Sequence, residues 1–113
     1  MNAPSGGYAF PEILDRGRTQ VLIERFYPDS LQALGVGGRV GLLAWISTEG
    51  GVRDVRVTLP SGLSALDEAA VLAARELHFR PARRDGVARP AWVEFAIEFR
   101  PPPPPAEDTV VLR

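Results

Sequence analysis

The alternation of apolar and polar residues is most regular at the C-terminal end of the chain. From Trp92 to Arg100, the residues Val93, Phe95, Ile97 and Phe99 share one side, and Trp92, Glu94, Ala96, Glu98 and Arg100 share the other. This period of two predicts a strand with one face on a core. Arg39 to Thr48 is apolar at both parities, as expected of a central strand covered on one side and partly shielded on the other. Val52 to Leu59 alternates again, which predicts Val55, Val57 and Leu59 facing inward and Asp54, Arg56 and Thr58 facing water. Between these two strands, Glu49-Gly50-Gly51 supplies positive-φ residues for a tight hairpin. Pro60 ends the returning strand because it has no backbone donor.

Helical spacing marks two further segments. Leu66, Ala69, Ala70, Ala73 and Leu77 form one stripe, and Ser64 with Asp67 has the spacing of a capping box at its start. The small alanines let such a helix sit close to a sheet. Asp15 to Phe26 places Val21, Leu22, Arg25 and Phe26 on one predicted helical face. Pro28 ends or kinks that helix, Asp29 or Ser30 can cap a second short turn through Leu31 and Leu34, and Gly35-Val36-Gly37-Gly38 stops it. After Phe79-Arg80-Pro81-Ala82, the stretch from Arg83 to Arg89 is predicted as a polar loop turning at Asp85-Gly86.

The order helix, strand, strand, helix, strand predicts an α+β fold. Its expected form is a three-stranded antiparallel sheet, order 2-1-3, with both helices on one face. The third strand is then an edge. Such an edge can receive an extended peptide by main-chain hydrogen bonding.

At 113 residues the chain is expected to form one domain. Its predicted limits are 8–100, between a disordered residue 1–7 segment and a proline-rich tail over 101–113. Pro101 to Pro105 is expected to form polyproline II over roughly 15 Å. Thr109 to Leu112 has strand propensity. The thirteen basic residues, all arginine, are scattered among fourteen acids for a formal charge of -1, which argues against a nucleic-acid partner. Cysteine is absent, which excludes disulfides and thiolate metal sites. No apolar run reaches the roughly 18 to 20 residues of a membrane span, and Met1 to Gly7 lacks the features of a signal peptide, so a soluble chain is expected.

Candidate chemistry is sparse. His78 is the single histidine and has no clustered metal-binding companion in the sequence. Asp67 and Glu68 point about 100° apart on a helix and cannot pair as acid and base. The glycines before Arg39 precede a strand, unlike a phosphate loop opening a helix. No catalytic residue, cofactor or metal is therefore expected. Tyr27-Pro28 reads as a helix break and Ser61-Gly62 as a turn. Trp45 and Trp92 could each either complete the sheet's packing or stand exposed as an anchor.

The ordered set Tyr27-Pro28, Leu31, Gly35, Gly38 to Val40, Gly50 to Val52, Val55, Val57, Ser61-Gly62, Leu66-Asp67, Ala69-Ala70, Phe79, Pro81-Ala82, Pro90 and Phe99 resembles the C-terminal domain of TonB and TonB-like energy transducers. The resemblance covers about residues 27 to 100. It implies a periplasmic domain that couples inner-membrane proton motive force to outer-membrane transporters. It also implies that a transporter peptide, the TonB box, adds as a strand along Trp92, Val93, Glu94, Phe95, Ala96, Ile97, Glu98 and Phe99. Tyr27, Pro28, Gly38, Gly50, Ser61, Gly62, Leu66, Asp67, Ala70 and Pro81 would be the family's structural positions. The sequence departs from the complete family proteins in having no transmembrane helix to meet an ExbB/ExbD motor, and its proline-rich stretch follows the domain. A homodimer formed through the same edge, without energy transduction, is the alternative expectation.

Overall fold

The computed structural model describes residues 7–103. The expectations for residues 1–6 and 104–113, including the remainder of the proline run and Thr109 to Leu112, lie outside the described residues. The elements are β1 (Tyr8–Ala9), β2 (Glu12–Ile13), α1 (Arg16–Phe26), α2 (Asp29–Ala33), β3 (Gly38–Ile46), β4 (Val52–Leu59), α3 (Ser64–Arg75), β5 (Phe79–Arg80), β6 (Ala82–Arg84), β7 (Val87–Arg89) and β8 (Ala91–Phe99).

The main sheet is antiparallel with order β4-β3-β8, the expected 2-1-3 arrangement. Val40, Leu42, Ala44 and Ile46 of β3 are fully buried, and Ile97 and Phe99 of β8 join them. On the same face lie Leu22 of α1, Tyr27, and the stripe Leu66, Ala69, Ala70, Ala73 and Leu77. Ala74 is also buried. The alanine stripe brings α3 against the sheet, and both long helices therefore cover one face.

Several local expectations are corrected. The face of α1 is rotated: Val21 is 59% exposed and Arg25 is exposed, whereas Ile23 and Phe26 pack beside Leu22. Leu59 turns outward because a bulge lies between Gly41 and Leu42 in the β3–β4 register and sets Leu59 opposite Gly41 on the solvent face, 68% exposed. Val57 points toward the helices but sits on the sheet margin, 38% exposed. In the β3–β4 loop, Gly50 alone has positive φ, and the turn is closed by Gly50 N–H donating to Ser47 O and Ser47 N–H donating to Gly51 O.

The helix starts are also made differently. Ser64 is already the first helical residue of α3; Leu63 is its N-cap and provides no side-chain cap. Asp67 instead turns back across the loop to Ser61, whose backbone N–H and hydroxyl both donate to Asp67 Oδ1 at 2.8 Å. Asp29 begins α2, after Pro28 at the N-cap, and neither Asp29 nor Ser30 caps it. In α1 the N-cap Asp15 adopts a left-handed conformation and accepts from Arg18 N–H at 3.0 Å.

The predicted polar loop is a hairpin, with β6 and β7 joined by Asp85-Gly86, both at positive φ. Residues ahead of α1 add two short ladders, β1 with β6 and β2 with β5. Arg80 pairs with Glu12 at 3.1 Å across the second.

Candidate functional site

Strand β8 pairs with β3 along nine registers, from Gly38 opposite Phe99 to Ile46 opposite Ala91. Among the described residues no strand pairs with its other side. An antiparallel edge turns alternate N–H and C=O groups away from its neighbour, so β8 presents a row of donors and acceptors for a further strand.

The side chains of β8 divide as the alternation requires. Val93 and Phe95 are half-buried, and Ile97 and Phe99 are buried. The Phe95 ring meets Phe79 at 5.6 Å between centroids, and Phe99 meets Tyr27 at 5.2 Å. Trp92, Glu94, Ala96 and Glu98 are exposed on the opposite face. The Trp45 and Trp92 rings meet across the strands at 5.2 Å, tilted 53° to each other, Trp45 half-buried and Trp92 42% exposed. The Arg56 guanidinium lies 5.4 Å from the Trp92 ring. The tryptophans are therefore neither sealed into the core nor isolated anchors. Glu98 is held by Arg100 at 3.0 Å.

The other predicted positions are the frame of this edge. The Tyr27 hydroxyl donates to Val36 O at 2.6 Å, and burial pushes its pKa above the ordinary tyrosine value. Pro28 separates α1 from α2, while Gln32 Nε2 donates to Tyr27 O at 3.1 Å. Gly38, at the start of β3, faces Leu66 and Ser61; a Cβ there would stand 3.1 Å from Leu66 Cδ1. Gly62, at φ 99, completes the turn that Ser61 and Asp67 close. At Gly50, φ is 90 and a Cβ would fall 2.0 Å from the Phe79 carbonyl oxygen, so only glycine fits. Leu66 and Ala70 are fully buried, and Pro81 is half-buried between β5 and β6.

Sequence reasoning missed the wall that faces this edge. A hollow of about 350 Å³ lies between Gln20, Ile23, Glu24 and Tyr27 on one side and Glu98, Phe99 and Arg100 on the other. A second, of about 550 Å³, lies between Pro11, Glu12, Ile13 and Arg16 and the residues Phe79, Val93, Phe95 and Ala96. Each is lined by both inward-facing and outward-facing residues of β8, which places them at its open edge. Arg16, Gln20 and Glu24 recur every fourth residue on one stripe of α1, a spacing visible in the sequence once that face is known to be relevant. No group of three or more His, Cys, Asp or Glu residues among the described residues could hold a metal.

Residues 23–101 match the family described as Gram-negative bacterial TonB protein C-terminal. The chain belongs to this TonB C-terminal family. It is 35% identical over 74 residues to Protein tonB2 of Pseudomonas aeruginosa, covering 66% of this chain and 27% of that protein. The chain thus spans about a quarter of that relative's length. The solution NMR structure of the Pseudomonas aeruginosa TonB C-terminal domain superposes with a TM-score of 0.55 at 27% identity, covering 66% of this chain and 75% of that one. The TonB C-terminal match starts within α1, so β1, β2 and the first two turns of α1 lie ahead of it. Among the described residues no helix is long and apolar enough to cross a membrane.

Proposed function

We propose that this TonB C-terminal domain binds an extended peptide of an outer-membrane transporter, the TonB box, as an added strand on β8. The supporting observation is the unpartnered edge of β8, whose whole length from Ala91 to Phe99 is already held straight by β3. Backbone groups supply most of the affinity in this mode of recognition, and the side chains beside the edge supply choice. The reading needs no catalytic group. In the full-length setting, the domain acts in the periplasm as the outer-membrane-facing end of an energy transducer, and an inner-membrane anchor meets the ExbB/ExbD-type motor. Membership of the TonB C-terminal family supports that assignment.

The test is a solution NMR titration with a TonB-box peptide. The backbone amides of Trp92 to Phe99 are expected to shift more than those of β4, the opposite edge of the same sheet. A saturating titration that leaves the β8 amides in place overturns the reading.

A further inference from the structure

Asp15 at the N-cap and Arg25 in the last turn follow the electrostatics of α1, but two other charges run against it. Arg16 occupies the first helical position and no acid lies in the first turn, while Glu24 sits in the last turn. A helix favours acids at its N-terminus and bases at its C-terminus, so each of these charges lowers helix stability. Neither forms an ion pair among the described residues; Glu24 only accepts a 3.4 Å hydrogen bond from Gln20. Yet both side chains line the hollows along the open edge of β8, Arg16 opposite Phe95 and Ala96, Glu24 opposite Glu98 to Arg100. Charges placed unfavourably for the fold and facing the edge call for a partner outside the chain.

We propose that α1 reads the charge of the strand that adds to β8, selecting an extended peptide with one acidic and one basic side chain four residues apart. The acid meets Arg16 and the base meets Glu24. The spacing follows from geometry: eight helical residues rise about 12 Å, and four strand residues span about 13 Å. An even separation also returns both peptide side chains to one face. The intervening residue on that face lies over Gln20 and Ile23 and is apolar, because Ile23 is only partly covered by the core. Arg16 and Gln20 precede the TonB C-terminal match whereas Ile23 and Glu24 lie within it, so only the acid-reading end of this stripe belongs to the part of the chain beyond the match.

This inference rests on strand addition to β8, and the experiment separates the two. Two synthetic peptides of equal composition, one with Asp four residues before Lys and one with the order reversed, are titrated into the wild type and into the double variant Arg16→Glu/Glu24→Arg. The variant places favourable charges at both ends of α1, so circular dichroism should show undiminished helix. The wild type is expected to prefer one order by roughly three- to tenfold at about 50 mM salt, with the preference collapsing at about 500 mM. The variant should invert that preference. If both orders bind the wild type equally, or if the variant keeps the same preference, charge reading by α1 is overturned. If neither peptide moves the β8 amides of either protein, strand addition itself falls, and this inference with it.

Discussion

Ser61 and Asp67 hold the turn into α3 from both sides: one carboxylate oxygen accepts the Ser61 backbone N–H and the Ser61 hydroxyl, each at 2.8 Å. Asp67→Ala leaves the N–H without that acceptor and is expected to cost about 1–2 kcal/mol, as for a hydrogen bond to a charged group in a half-covered site. Ser61→Ala removes only the hydroxyl and should cost about half as much. Urea unfolding with an unchanged m-value measures both; equal costs would show that the side-chain bond, and not the backbone one, dominates.

Tyr27 makes stability fall in alkali. Burial raises its pKa above the ordinary value of 10.0, so the folded state keeps the phenolic proton more tightly than the unfolded chain. Its contribution is fully present below about pH 10 and is lost as pH rises through the folded-state value. The chain contains no cysteine and no lysine to titrate in the same window. Tyr27→Phe should lower stability at pH 8 by about 1 kcal/mol through loss of the bond to Val36 O. It should also flatten the decline that begins near the ordinary tyrosine value and runs up through the raised folded-state one. Chemical unfolding across that range tests both effects.

Trp45 and Trp92 form a cross-strand pair on the open face of the sheet. A double-mutant cycle with Trp45→Ala and Trp92→Ala is expected to give a coupling of about 0.5–1.5 kcal/mol. Arg56→Ala should weaken the fold by about 0.5 kcal/mol through its exposed contact with the Trp92 ring. A coupling near zero would mean that the rings are adjacent without stabilising each other.

Gly50→Ala is expected to be a strongly damaging single-methyl change in the β3–β4 loop. The added carbon meets the Phe79 carbonyl, whose residue also donates its N–H to Gly50 O at 2.9 Å. Combined with the positive φ, relaxation should cost about 2 kcal/mol or more. A thermal or urea midpoint within error of the wild type would contradict this.

The parts of the fold legible in the sequence are those whose signal is local or strictly periodic. The period-two pattern of β8 and the alanine stripe of α3 require no knowledge of neighbours. Leu59 failed that reading because its orientation depends on the bulge opposite Gly41, a property of pairing register. β1 and β2 are two residues each and form only because β6 and β5 reach them; Glu12 and Arg80 are 68 residues apart. Likewise, the edge of the candidate site was evident in Trp92 to Phe99, but its wall was not. Arg16, Gln20 and Glu24 look like an ordinary solvated helix face until the packing of Tyr27 on Phe99 swings that face toward β8.

The nine-register ladder between β3 and β8 also sets how the domain would respond to force. A pull along an added strand would load β8 lengthwise, so all the hydrogen bonds to β3 would share the shear and fail together. A pull at right angles would peel the same bonds open one pair at a time, beginning at an end. The domain is thus mechanically anisotropic, a stiff handle along the axis of β8 and a zipper across it.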